Sequence, residues 1–238
     1  WEFNPHVAGP NNLPLSYSNF DLRHRVIGSF SYRKEYAGHF ATTLSAFYNG
    51  QSGSPFSYTY YGTDINNDGG NPSGSSNDLI YIPRAQNEIV LVTDGVNDRR
   101  TPAQQWAELN SFIENDDYLS KHRGEYAARN GARTPWQHRV DVRLMQDVFM
   151  KFGDKTHTLQ FTVDVTNVGN LLNNAWGRDY FVNNQNFGLL RYQGLENGTT
   201  GRPTFSYGSG TTPTATEAYQ VSQLTSRWQA QFGARYLF

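Results

Sequence analysis

The sequence predicts an all-β chain, an antiparallel section of a transmembrane β-barrel, and three observations carry that prediction. Five segments alternate apolar and polar residues with period 2, the signature of strands with unlike faces. Each segment runs to about 12 residues, about double the 5–6 usual in soluble strands. The connections between segments alternate strictly between short and very long, as they do in outer-membrane barrels with tight turns on one side and extended loops on the other.

In chain order, Leu22, Val26, Phe30 and Tyr32 oppose Arg23, Arg25, Ser29, Ser31 and Arg33. Residues 1–20 before them are expected to be the end of an earlier strand and its external loop. Phe40, Leu44, Ala46 and Tyr48 give the weakest stripe, in a strand expected to run from His39 to Tyr60. Val140, Val142, Leu144, Val148 and Met150 oppose Arg139, Asp141, Arg143 and Asp147, with Gln146 interrupting the apolar set. Leu159, Phe161, Val163 and Val165 alternate with Thr158, Gln160, Thr162, Asp164 and Thr166. The last strand is the clearest: Trp228, Ala230, Phe232, Ala234, Tyr236 and Phe238 oppose Arg227, Gln229, Gln231, Gly233 and Arg235, with Leu237 the apolar exception. Lys34–Gly38 and Lys151–Lys155 read as tight turns, residues 61–136 and 169–222 as long external loops.

A soluble antiparallel sandwich also alternates, but structureless loops of this length argue against a compact soluble domain. Composition agrees. Of 238 residues 37% are hydrophobic and 15% aromatic, and mean hydropathy is -0.67. So few aliphatics would struggle to fill a large core, whereas a barrel wall needs apolar residues only on alternate positions. Net charge is -1, which gives no electrostatic case for nucleic acid. The absence of cysteine excludes disulfides, thiolate metal sites and a cysteine nucleophile. No apolar run reaches the length of a membrane-spanning helix. The chain begins at Trp1 with no export signal, which suggests a fragment or processed product.

If short turns lie in the periplasm and long loops outside, the five strands run in, out, in, out and in, which leaves the C-terminus periplasmic. Trp228, Phe232, Tyr236 and Phe238 then face lipid. Trp228 and Phe238 are ten residues apart. That is roughly 33 Å of strand, and at a tilt near 40° about 25 Å of membrane height, the distance between two aromatic girdles.

The first long loop carries its own signals. Thr101, Pro102 and Gln104 form a helix start with a capping box, and Trp106, Leu109 and Ile113 share a face. Ser120–Arg129 is expected to be a second short helix with a Glu125–Arg129 pair, closing at Asn130-Gly131. The pair of helices either stabilises the loop over the barrel mouth or takes part in ligand binding. Asp64-Ile65-Asn66-Asn67-Asp68-Gly69 matches the first half of a calcium loop, with oxygens at alternate positions and Gly at the sharp turn. The candidate calcium set is Asp64, Asn66, Asp68, Gly70 and Asp78. The twelfth position is Ser75 rather than a bidentate Glu, and a polar Asn/Asp/Gly turn explains the same residues. Enzyme signals are absent: there is no H-E-x-x-H, no G-x-S-x-G, and no histidine pair at ligand spacing. No cofactor is required, and calcium is the one candidate ion.

Several stretches resemble one family. Phe20-Asp21-Leu22-Arg23-His24-Arg25, Phe47–Gly53, Asn77–Pro83, Tyr118–Gly124, Asn130–Trp136 and His157–Phe161 running into Asn167–Asn173 look like the C-terminal part of a TonB-dependent receptor. The resemblance is to the large Bacteroidetes type, related to SusC and to Oar-like receptors with a carboxypeptidase-regulatory-like domain. It implies a 22-stranded barrel around a plug, energised uptake of a scarce ligand through TonB, and an N-terminal barrel portion and plug that lie outside these 238 residues. A lumen that wide needs a plug. Arg23, Arg25, Arg33, Asp141, Arg143, Asp164, Arg227 and Arg235 would face the lumen, either contacting plug or substrate or forming a hydrated wall of balanced charge. A C-terminal strand ending in Phe238 resembles the signal read by the barrel assembly machinery, a sound use of an exposed strand edge. A SusD-type surface lipoprotein is a further partner by resemblance. Two other functions stay open: a receptor-like barrel serving as a structural subunit of a larger outer-membrane assembly, and a passive porin.

Overall fold

The computed structural model describes residues 4–62, 65, 77–94, 98–208 and 218–238. In chain order the strands are β1 (Arg25–Tyr36), β2 (Phe40–Gln51), β3 (Pro55–Gly62), β4 (Val90–Leu91), β5 (Ala132–Arg133), β6 (Gln137–Phe152), β7 (Lys155–Thr166), β8 (Tyr180–Phe181), β9 (Asn186–Leu195), β10 (Pro203–Tyr207), β11 (Gln220–Val221) and β12 (Gln229–Leu237). The helices are α1 (Pro102–Asn115), α2 (Val168–Leu172) and α3 (Gln223–Ser226). The chain divides into two compact units.

One unit holds Leu22–Gly53, Pro135–Tyr180 and Val221–Phe238. Its sheet is antiparallel, in the order β1-β2-β6-β7-β12. The register aligns like with like. Tyr32, Leu44, Leu144, Val163 and Phe232 form one row across all five strands, and Ser31, Ser45, Arg143, Asp164 and Gln231 form the next. Adjacent residues of a strand point to opposite faces, so the first row lies on an apolar face and the second on a polar one. The hairpins are tighter than their sequence suggests. β1 and β2 are joined by residues 37–39, with Gly38 at φ 69°, and β6 and β7 by Gly153-Asp154 alone. Gly153 has φ 63°, the left-handed value that the first position of a II′ turn demands. The sheet is open: among the described residues β1 and β12 each pair on one side only.

The apolar face of this sheet is not a core. Phe30, Tyr32 and Phe232 are 60%, 56% and 76% exposed, and Ala41 is the one buried hydrophobic residue described in this unit. A contiguous apolar sheet face left in water would be an aggregation site; against hydrocarbon it is stable.

The other unit holds residues 1–21, Ser54–Thr134 and Phe181–Gln220. Here the two long connections fold together rather than remaining loops. Their sheet has the order β4-β10-β9-β3-β5, with β3 parallel to β9 and β9 antiparallel to β10. Phe56, Tyr58, Leu79, Ile80, Leu109, Ile113 and Leu190 are among its buried core. The predicted α1 is present with the full capping box: Gln104 N donates to the Thr101 hydroxyl at 3.3 Å and Thr101 N to Gln104 Oε1 at 2.8 Å. Leu109 and Ile113 are buried and Trp106 packs against the core, as the shared face requires.

Three expectations are corrected. The strand expected from His39 to Tyr60 is two strands in different sheets, broken at Ser52-Gly53-Ser54. No helix covers Ser120–Arg129. Leu119–Lys121 is one 3-10 turn, and the backbone beyond it pairs elsewhere: Gly124 N donates to Ile82 O, Ile82 N to Glu125 O and Ala127 N to Ile80 O. The Glu125–Arg129 pair gives way to a bond from Arg129 to Asn19 Oδ1 at 3.3 Å. Residues 4–20 form no strand; His6 makes an isolated bridge to Asp78.

Candidate functional site

The polar face of the five-stranded sheet is the candidate site. Its charges are matched across strands rather than merely balanced in number. Arg33 donates to Asp147 at 2.7 Å, and Gln160 donates to the other oxygen of the same carboxylate at 2.8 Å. Arg143 makes a two-toothed pair with Asp164, whose longer arm is 3.0 Å. Arg25 donates to Asn49 at 2.8 Å, and the Ser31 and Ser45 hydroxyls bond at 2.9 Å. Asp141 does something else. It accepts from Arg139 Nε at 3.1 Å and from the backbone N–H of Asn167 at 2.7 Å, which holds the start of α2. Between these pairs lies a concavity of about 610 Å³, lined by Ser31, Ser45, Phe47, Asp141, Arg143, Asp164 and Gln231. It offers hydrogen-bond donors and acceptors beside Phe30 and Phe47, the means to bind a polar ligand.

Of the residues expected on this face, Arg25, Arg33, Asp141, Arg143, Asp164 and Arg235 lie on strands and share the polar parity. Arg23 and Arg227 stand just outside, because β1 starts at Arg25 and β12 at Gln229. Gln160, Ser31, Ser45 and Asn49 belong to the site although no charge singled them out; their parity was the available signal, and Asp147 carried both parity and charge.

The apolar face carries aromatic side chains at both ends. At the short-turn end Tyr36 stacks on Phe40 at 5.7 Å, and Tyr236 stacks on both Phe238 at 5.8 Å and His157 at 5.7 Å. At the opposite end Trp136 stacks on His138 at 6.0 Å, and the Tyr48 hydroxyl meets His138 Nδ1 at 2.8 Å. Trp228, just before β12, and Phe232, within it, are both exposed. Gln146, which interrupts the apolar stripe, is satisfied locally: its Oε1 accepts from Thr42 at 2.6 Å and Tyr36 at 3.1 Å, and its Nε2 donates to Ala41 O at 3.2 Å. Two aromatic bands flanking an apolar stripe, with a polar opposite face, are the cross-section of a membrane barrel wall.

Of the candidate calcium set, Asp64, Asn66, Asp68 and Gly70 lie outside the described residues. Asp78 is buried, and its carboxylate accepts the Ile65 N–H at 3.1 Å. Among the described residues no cluster of three or more metal-ligating side chains occurs. In the unit built from the long connections, two pairs of titratable groups tie elements together. Burial and the neighbouring Asp116 push the Tyr58 phenol far up, so it stays a donor to Asp116. The Arg100 guanidinium beside Asp98 holds that carboxyl below the usual carboxylate range, against its burial.

Neither a curated protein nor a solved structure matches the chain. A family model described as an outer membrane beta barrel domain matches residues 4–203, a stretch that includes four of the five wall strands and most of the unit with its own core. With its two-faced sheet and paired aromatic bands, this chain belongs to the outer membrane beta barrel domain family.

Proposed function

We propose that the chain is the C-terminal barrel section of a TonB-dependent receptor, which takes up a scarce ligand across the bacterial outer membrane with energy delivered by TonB. The observation that carries the proposal is the open sheet. Five strands with matched charges on one face and lipid-facing side chains on the other leave both edges unpaired among the described residues. Closure alone removes such edges, so further strands complete a wider barrel. A barrel much wider than eight strands has a lumen that must conduct or be plugged. The resemblance of Asn77–Pro83, Tyr118–Gly124 and Asn130–Trp136 to such receptors supports the plugged alternative. In this reading the polar face lines the lumen, the short turns lie in the periplasm, and the unit built from the long connections lies outside the cell, where it meets ligand or a lipoprotein lid.

Dependence on TonB tests the proposal. Cells carrying the intact protein are compared, with and without TonB, for growth on iron chelates, corrinoids and glycans as limiting nutrients. Loss of growth on one class in the TonB-less cells is expected. Growth that needs this protein yet is unchanged without TonB overturns the receptor reading in favour of a passive pore.

A further inference from the structure

β6 outruns its neighbour. It begins at Gln137, but its ladder with β7 begins only at Val142, opposite Val165. The segment after β7 takes the place of the missing strand, tied down by Asn167 N to Asp141 and by a bond from the Gln137 amide to Asp179. Between this segment and β6 lies a cavity of about 270 Å³, lined chiefly by Trp136, His138, Val140, Ala175, Trp176 and Arg178. His138 and Val140 share the parity of the apolar face, so the cavity belongs to the side that meets lipid. Trp136 and Trp176 are 43% and 58% exposed beside it.

Two features identify an occupant. Arg178 donates its Nε to Asn174 O at 3.0 Å, and among the described residues no carboxylate pairs with it. A guanidinium at the edge of a Trp-walled apolar cavity matches an amphiphile with a negative head and a hydrocarbon tail. The cavity is also complete within this chain. β6 is the middle strand of five, with β2 on one side and β7 on the other, so strands added at the sheet edges do not fill it. It lies at the end of the sheet away from the short turns, within the aromatic band.

We propose that this cavity binds one phosphate-bearing lipid of the outer leaflet, with an acyl chain between Trp136 and Trp176 and the phosphate on Arg178. The inference rests on the orientation given under the proposed function, not on energised uptake. It is tested on the intact protein, delipidated in detergent, by native mass spectrometry with three probes: lipid A, dioleoylglycerol and inorganic phosphate. Wild type is expected to retain one lipid A, to hold dioleoylglycerol at least tenfold more weakly, and to show no competition from inorganic phosphate. R178Q is expected to weaken lipid A about tenfold, R178K to restore most of it, and A175F, which fills the cavity, to abolish retention. Heat-modifiability on gels verifies that each variant is an assembled barrel. Equal retention by wild type, R178Q and A175F overturns the site. Full competition by inorganic phosphate overturns the lipid as its occupant, and equal binding of dioleoylglycerol overturns the role of Arg178. None of these outcomes alters TonB dependence, so failure here and failure of the receptor reading are told apart.

Discussion

Asp147 is 4% exposed on the polar face, with Arg33 at 2.7 Å and Gln160 at 2.8 Å. Ala41, directly opposite Asp147 on β2, is too small to reach it, which leaves room for the diagonal approach of Arg33. A carboxylate in this position needs its partners, since a buried charge that loses them keeps its desolvation cost. Arg33→Met is therefore expected to destabilise the assembled barrel by about 1–3 kcal/mol. Adding Asp147→Leu should return part of the loss, with a coupling of about 0.5–1 kcal/mol because Arg33 itself is half exposed to water. Thermal unfolding of the intact protein, followed by heat-modifiability, measures the cycle; strictly additive losses would show that the pair does not interact. Asp98 makes a different case, outside the membrane wall. Its carboxyl is depressed chiefly by the hydrogen bond from Arg100. Its stabilisation is fully present above the unfolded aspartate pKa of about 4 and is lost as pH falls through the lower folded value. Acidification below about pH 4 should thus loosen the Arg100 bridge to Tyr207 O. Hydrogen exchange around Tyr207 should rise with acid in wild type and depend less on pH in Asp98→Asn; an identical acid response in both would remove Asp98 as the source of that response. Residue parity made the polar face legible in sequence. Which charges would pair was not, because Arg33 and Asp147 are 114 residues apart.

At the scale of elements, legibility followed locality. α1 could be read because its start is written within four residues, Thr101 to Gln104, and both halves of the capping box form. Thr101→Ala should cost α1 about 1 kcal/mol, seen as faster hydrogen exchange over its first turn with the wall strands unchanged; unaltered protection would show that tertiary packing alone holds the helix end. Residues 119–131 carried comparable local signals and still form no helix. Their backbone donors and acceptors are taken by Ile80 and Ile82, some 40 residues earlier, and a pairing of that range leaves no trace in a helical window. The break between β2 and β3 was hidden for another reason. Alternation resumes beyond it in the same phase, from Tyr48 to Phe56, Tyr58 and Tyr60. At the end of β2 the ladder is half kept: Ser52 N donates to His24 O at 2.9 Å, but the return N–H of His24 goes to the Ser52 hydroxyl at 3.2 Å instead of its carbonyl. β3 then enters a parallel pairing with β9. Its Ser57 and Thr59 are buried as fully as its aromatics, so it is a strand covered on both faces.

At the scale of the whole molecule, composition foretold the wall and misjudged the connections. The buried hydrophobic cluster lies wholly in the unit formed by residues before β1 and by the two long connections, while the five wall strands contribute nothing to it. Stretches of 76 and 54 residues, 61–136 and 169–222, looked like loops because each alone is too polar and too irregular to bury a core. The second stretch supplies β9, whose parallel partner β3 comes from the end of the expected His39–Tyr60 strand, and the buried core draws on β3 and on both stretches. The path of the chain bears on membrane topology. It passes between the units at Asp21–Leu22, Gly53–Ser54, Thr134–Pro135, Tyr180–Phe181 and Gln220–Val221. The first three lie within three residues of a wall strand's end away from the two short turns, and the last two fall in β8 and β11, on the connection that joins the same ends of β7 and β12. Connections that leave the same strand ends are expected on one side of the membrane, and the two hairpins on the other. Single cysteines are well suited to test it, since these 238 residues contain none. Asp154→Cys, in the β6–β7 hairpin, and Asn197→Cys, in the exposed turn between β9 and β10, are the informative pair. In whole cells carrying the intact protein, a maleimide too large to cross the outer membrane is expected to label Asn197→Cys and spare Asp154→Cys. Permeabilising the outer membrane should then expose the second site. Labelling of Asp154→Cys alone in whole cells would invert the orientation, and with it the leaflet assigned to the lipid at Arg178. Equal labelling of both before permeabilisation would mean that the five strands do not separate the two connections at all.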